Sequence, residues 1–300
     1  MKLTIRNMLA YLYANTLLFS GIASRSLKRF HESGDILSIF FHNPSRKLFE
    51  EIVKLLKRQN VTFISTEQLN MICKGKMVAP KSPVVITIDD GWLSNKENVV
   101  QVAKEHDIPV TIFVSTEPVY QQKPFWWSFN QTIYEQGIGY MNSRSLKKFP
   151  NKERIAYLNG YGFLNAFSQE AMSERDLIEL VEYKNIFIES HTVTHPILSQ
   201  CSDEEAEREI QLSKQQLEKT LKTKIKGFAY PNGYYTPRET NLLEKHGYEY
   251  AFTTRSAFVK SNDLKNRFEL PRFEVLDHVS FAENKCRVAG VWPSKETYHL

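Results

Sequence analysis

Val84-Val85-Ile86-Thr87-Ile88-Asp89-Asp90-Gly91 is a short apolar run that ends in two carboxylates and a glycine. Such a run reads as a buried strand, and its end delivers two negative charges to one rim of a sheet. About a hundred residues later, Ile186-Phe187-Ile188-Glu189-Ser190-His191-Thr192-Val193-Thr194-His195 repeats the design with imidazoles in place of acids, the two four residues apart, the spacing for two ligands on one helical turn. One carboxylate and two imidazoles form a donor set that can hold a divalent metal and leave a position open for water. The second carboxylate is then free to accept a proton.

Outward from these two segments the chain alternates strand and helix patterns. Strands are expected at Ile36–Phe41, Val61–Ile64, Val84–Asp89, Val110–Ser115, Ile186–Ser190, Gly227–Tyr230 and Tyr248–Thr253. Helices are expected at Ser45–Arg58, from Ser65 to about Lys74, over about 95–105, from Ser173 to Lys184, at Asp203–Lys222 and at Pro237–His246. Ser65 with Gln68 makes a capping box, and Gly247 closes the helix before it. Repetition of this unit predicts an α/β fold with parallel strands inside and helices outside, closed into a barrel. In such barrels function collects where strands end, which is where His42, Asp89-Asp90, His191 and Pro231-Asn232-Gly233 all fall. The rhythm breaks at about 117–170, where Phe125-Trp126-Trp127 and several tyrosines and glycines suggest a lid or an insertion between two barrel units. The expected organisation is an N-terminal basic, amphipathic segment over 1–35 and a barrel domain over 36–300 carrying that insertion.

Composition is that of a folded protein: 300 residues, 42% hydrophobic, net charge +5. Residues 1–60 hold ten Lys/Arg against four Asp/Glu, so the positive excess is N-terminal. That bias fits an anionic membrane surface or glycan, or simply a solvated helix face. No nucleic-acid motif is present, and nucleic acid is not expected as a partner. Met8–Ala23, flanked by Lys2 and Arg6 and followed by Arg25, Lys28 and Arg29, fits an amphipathic helix lying on the domain or on a membrane, with a signal peptide as the other option. Localisation is accordingly expected to be cytoplasmic or membrane-surface associated, with export as the alternative. Cys73, Cys201 and Cys286 are odd in number and far apart, as structural thiols are.

Three motifs in order carry a resemblance. Thr87-Ile88-Asp89-Asp90-Gly91 resembles the T-F-D-D-G motif of the polysaccharide deacetylases, the chitooligosaccharide-deacetylase homology family. His191-Thr192-Val193-Thr194-His195 matches that family's H-[ST]-x-x-H motif, and Phe228-Ala229-Tyr230-Pro231-Asn232-Gly233 is similar to its R-x-P-Y-G motif. The resemblance spans about 36–275. It implies a distorted (β/α)7-type barrel with Asp90, His191 and His195 as metal ligands, zinc ahead of other divalent ions, and Asp89 as general base. A backbone N–H near Asn232 would meet the oxyanion, and Thr87 and Thr192 would orient the ligands.

Two departures from the family pattern stand out. The third motif's arginine falls at Ala229, and Arg272 in Leu270-Pro271-Arg272-Phe273 is the candidate substitute. The usual C-terminal L-x-H-D motif is replaced by a poor copy at Leu276-Asp277-His278 and a better one at Ile39-Phe40-Phe41-His42-Asn43. A circularly permuted arrangement is implied, with His42 as the acid that protonates the leaving amine. Trp92, Tyr230, Asn232 and Arg272 are the expected substrate contacts, Trp92 and Tyr230 chosen from the aromatics because they adjoin motifs. The expected activity is removal of N-acetyl groups from a sugar in a glycan or lipid-linked saccharide, releasing acetate. The alternatives are an O-acetyl esterase on the same scaffold or a silent carbohydrate-binding protein.

Overall fold

The computed structural model describes residues 4–293. Its strands are β1 (Leu37–Phe41), β2 (Thr62–Phe63), β3 (Pro83–Ile88), β4 (Val110–Val114), β5 (Ile186–Ser190), β6 (Gly227–Ala229), β7 (Tyr250–Phe252) and β8 (Phe273–Glu274). They form one sheet in the order β7-β6-β5-β4-β3-β1-β8, and the paired strands all run parallel. Val84 pairs with Leu37 of β1 on one side and with Phe63 of β2 on the other, so β2 takes the start of the β3 edge whose end belongs to β4. Leu270 bridges Phe252 of β7, and three residues on Phe273 pairs with Ile39 of β1. The segment 270–274 thus ties the two sheet edges together, and the expected barrel of parallel strands with outer helices is present.

Strand side chains alternate between two environments, as the two-residue period of a strand requires. Leu37, Ile39 and Phe41, then Val84, Ile86 and Ile88, then Val110, Ile112 and Val114 pack outward under Phe49, Ile52, Val53, Leu177, Ile210 and Leu217 of the surrounding helices. Val85, Phe113, Ala229, Tyr250 and Phe252 point the other way and fill the barrel with Leu270. Burial of each large aliphatic or aromatic side chain contributes about 1.5–3 kcal/mol. Gly227 is forced by this interior, since a Cβ there would lie 2.5 Å from the Tyr250 ring.

Helix boundaries follow the capping chemistry. Ser65 with Gln68, Ser173 with Asp176, Ser202 with Glu205 and Thr236 with Glu239 all form reciprocal capping boxes. The strand expected over Tyr248–Thr253 shortens to three residues, and β8 and the helix Phe281–Val288 had no clear pattern in the sequence. The insertion holds four α-helices, Thr116–Gln121, Trp126–Glu135, Ser143–Leu146 and Asn151–Asn159, the last three gathered around Trp126, Leu146, Leu158 and Phe163. The N-terminal segment is two helices, Ile5–Phe19 and Ile22–Ser33, broken at Gly21 with φ 74°. Lys2 and residues 294–300 lie outside the described residues. The three cysteines are free thiols.

Candidate active site

Asp89 still belongs to the sheet, its N–H donating to Phe41 O at 2.8 Å, and by strand parity its side chain enters the barrel beside that of Thr87. At Asp90 the chain leaves the strand with φ 77°, a left-handed conformation that a non-glycine residue adopts at a cost of about 1–3 kcal/mol. That twist turns the second carboxylate away from the first. Asp90 Oδ2 accepts from the Trp92 indole at 3.0 Å, while Oδ1 is buried with no hydrogen-bond partner.

The histidine motif does not sit on a helical turn, the geometry its four-residue spacing suggested. It is a tight loop with left-handed backbone at Thr192 (φ 70°) and His195 (φ 53°). The shape is set by Glu209, a buried acid that accepts from the N–H groups of Val193 and Thr194 at 2.8 Å each and from the Thr194 hydroxyl at 2.7 Å. Burial pushes Glu209 above the usual carboxylate range despite those donors. Thr192 Oγ1 spans the loop, accepting from His195 N at 3.1 Å. On the other side the insertion grips the His195 carbonyl, through Arg154 at 3.0 Å and the Trp126 indole at 3.2 Å. Arg154 lies 4.4 Å over the Trp126 ring, and burial brings it down to about 10.

Asp90, His191 and His195 converge, with one ligand atom from each within 4.8 Å of the others. Asp90 Oδ1 is 3.7 Å from His191 Nε2 and 3.5 Å from His195 Nε2. His191 Nδ1 is 2.7 Å from the Ala229 carbonyl, so Nδ1 carries the proton and Nε2 presents a lone pair. Burial depresses His191, more than the neighbouring aspartates raise it, and holds His195 well below its ordinary value. Neutral imidazole nitrogens and an unpartnered buried carboxylate oxygen facing one another leave a gap that a cation satisfies. The residues fit a divalent ion with two nitrogen donors and one oxygen donor.

Asp89 lies beside this group and is held differently. Arg272 donates to both of its oxygens at 2.8 Å, to Thr87 Oγ1 at 2.9 Å and to the Thr253 carbonyl at 3.1 Å. The guanidinium is fully buried, 4.2 Å from the Phe40 ring centroid and within 5.8 Å of those of Phe113 and Phe252. Burial alone raises a carboxyl, but here Arg272, aided by His191, outweighs it and holds Asp89 below the usual range. Ala229 faces the same interior with only a methyl group.

A cleft of about 1300 Å³ opens over these residues. It is larger than the roughly 300–1,000 Å³ of an ordinary small-molecule site and so has room for several sugar units. His42, Asp89, Asp90, Trp92, His191, His195 and Asn232 all line it. Two expected sugar contacts do not. Arg272 is behind the wall on Asp89, and Tyr230 is fully buried, stacked on Tyr235 with centroids 4.7 Å apart. Strand parity explains Tyr230, because Phe228 and Tyr230 share the outward, helix-facing side of β6. The aromatic wall is Trp127, whose ring lies 4.5 Å from His195, with Trp92 beside it. His42, half-buried at the end of β1, has Nδ1 3.8 Å from Glu274. Asn232 turns with φ 56° and Gly233 with φ 76°, where a Cβ would lie 2.0 Å from Thr254 Oγ1.

The insertion adds residues that no sequence motif marked. Lys147 donates to Asn232 Oδ1 at 2.7 Å, and burial pulls its ammonium below the ordinary lysine value. Arg144 and Lys148 line the same cleft, as do Glu274 at the end of β8 and Asp277 and His278 from the loop after it. A histidine-rich motif was visible in sequence, but Glu209, Arg154 and Lys147 reach it only through folding.

The polysaccharide deacetylase family model matches residues 76–251, more than half of the chain. The chain is 22% identical over 246 residues to the poly-beta-1,6-N-acetyl-D-glucosamine N-deacetylase of Staphylococcus aureus strain MSSA476, covering 79% of this chain and 69% of that protein. Among solved structures it resembles the Streptococcus pyogenes deacetylase PplD in complex with acetate, with TM-score 0.63, 18% identity and coverage of 85% of this chain and 98% of the other. IcaB from Ammonifex degensii superposes with TM-score 0.62 at 19% identity, over 86% and 97% of the two chains. His42 and Arg272 fall outside the matched range, and the barrel brings them to the residues inside it. With the ordered motifs, the fold and the match in agreement, the chain belongs to the polysaccharide deacetylase family.

Proposed function

We propose that this protein hydrolyses the N-acetyl amide of N-acetylglucosamine units in a polysaccharide, releasing acetate and leaving a free amine. The observation that carries the proposal is the division of labour between adjacent aspartates. Asp90 faces two neutral imidazoles, while the buried Asp89 is kept ionised by Arg272. A divalent ion held by Asp90, His191 and His195, zinc by its donor preferences, would supply Lewis acidity and lower the pKa of a water. Asp89 takes a proton from the attacking water as the water oxygen bonds to the acetamide carbon. The N–H of Asn232, at the left-handed turn that Lys147 braces, donates to the oxyanion. His42, at the cleft edge beside Glu274, gives a proton to the nitrogen as the C–N bond breaks. Water and amide are thereby converted to acetate and amine with no other reactant.

The named Staphylococcus relative supports a β-1,6-linked N-acetylglucosamine polymer as the substrate class, and the cleft's volume and Trp127 wall suit a chain of pyranose rings. The test is acetate release from β-1,6- and β-1,4-linked N-acetylglucosamine oligomers, before and after chelation and zinc return. Release from the β-1,6 series, lost on chelation and restored by zinc, is the expected result. Release only from O-acetylated glycans, or none from any N-acetyl substrate, would overturn the proposal.

A further inference from the structure

The helix Ile5–Phe19 is apolar on two opposite sides. Ala14 and Leu17 are buried against Cys286 of the helix Phe281–Val288. On the far side Ile5, Met8, Leu9, Leu12 and Phe19 stand in solvent, exposed by 79%, 53%, 62%, 61% and 88%. Their spacing of three, four and seven residues puts them on one stripe, with Thr16 continuing it. Exposed single hydrophobics are ordinary, but five on one stripe of one helix are not. Nothing in the barrel requires them.

We propose that this stripe docks the protein onto an anionic lipid bilayer. Charge complementarity selects that occupant. Between Thr4 and His31 the chain carries Arg6, Arg25, Lys28 and Arg29 and no acidic residue, and all four cations are exposed. Tyr11 and Tyr13 flank the stripe and are also exposed, the placement that amphipathic rings take at a headgroup boundary. Fifteen residues make a helix of roughly 22 Å, shorter than the ~30 Å hydrocarbon core. Among the described residues no helix is long and apolar enough to cross a membrane. The helix therefore lies in the interface plane, with the stripe inserted and the cations of the second helix against headgroups. Docking of this kind would hold the catalytic cleft close to a lipid-linked or surface-held glycan.

The experiment is vesicle co-sedimentation of the full chain with phosphatidylglycerol–phosphatidylcholine vesicles and with phosphatidylcholine alone. Strong binding to the anionic vesicles, weakening with salt, is expected. The double variant Leu9→Glu, Leu12→Glu should bind at least tenfold more weakly while keeping its melting temperature and its activity on soluble oligosaccharide, since both side chains stand mostly in solvent. A second variant, Arg25→Gln, Lys28→Gln, Arg29→Gln, should lose roughly fivefold per cation. Absence of binding to either vesicle, or binding indifferent to both variants, overturns the proposal. Concentration-dependent dimers that Leu9→Glu, Leu12→Glu abolishes, with no vesicle binding, would assign the stripe to a second copy instead.

Discussion

Replacing Arg272 with methionine tests how Asp89 is held. The change keeps an unbranched apolar stem in the barrel and deletes the guanidinium, together with its place over the Phe40 ring, so the loss is chiefly electrostatic. It strips two hydrogen bonds of 2.8 Å from a carboxylate that the barrel already buries, and one each from Thr87 and Thr253. Removing one partner of a buried ion pair costs about 3–5 kcal/mol, because the other charge is stranded. At roughly 2–4 °C per kcal/mol for a domain of this size, Arg272→Met should melt about 10 °C lower. Asp89→Asn added to Arg272→Met removes the stranded charge and should recover about 1–3 kcal/mol. Thermal unfolding of the four proteins, with chelator and with zinc, gives the coupling energy. Acid adds an internal check. Asp89 titrates below its unfolded value of about 3.9, so its stabilisation is present above that value and is lost as pH falls through the folded one. The gap between the wild-type protein and Arg272→Met must therefore narrow in strong acid. A loss under 1 kcal/mol, or strictly additive single and double variants, would refute the pairing.

Four further substitutions address the cleft and the histidine loop. His42→Gln should lower kcat by about 10²–10⁴ while His278→Gln, exposed on the cleft rim, changes it by a few-fold at most, and steady-state kinetics on one oligomer compares them. The reverse ranking would move the proton donor to the loop after β8. Glu209→Gln must aim an amide at three donors that now share a carboxylate, so zinc affinity should fall roughly 10–100-fold in a competition titration. Lys147→Met deletes a charged hydrogen bond to Asn232, and a partly solvated contact of that kind is worth about 1 kcal/mol or somewhat more. A loss of about fivefold to tenfold in kcat/KM at unchanged zinc content is expected.

Much of the barrel could be read from sequence because the signals were local. Predominantly apolar runs marked β1, β3, β4 and β5, and the Ser65 capping box marked its helix within a residue. Asp89-Asp90 and the two histidines were legible because each pair ends a strand on the same rim. What was missed was set by neighbours rather than by local pattern. β8 is two residues long and held by pairing to Ile39 and Phe40, so it left no periodic trace. Tyr230 was misjudged for a different reason. Its place beside a motif suggested a sugar platform, whereas counting by twos from Phe228 puts it under the helices. Glu209 sits mid-helix among other acids, and nothing in Asp203–Leu221 distinguishes the one that holds the histidine loop. Arg154 and Lys147 required the fold of the insertion. The four-residue histidine spacing suggested a helical turn, but left-handed residues at Thr192 and His195 achieve the convergence in a loop.

Bound metal per protein chain, determined by plasma mass spectrometry after zinc loading and exhaustive dialysis, puts the weight on the site itself. One equivalent is expected for the wild-type protein and for Asp89→Asn, against near zero for Asp90→Asn, His191→Gln and His195→Gln. Full occupancy in those three variants, or metal lost from Asp89→Asn alone, would contradict the assignment of one aspartate to the ion and the other to the proton.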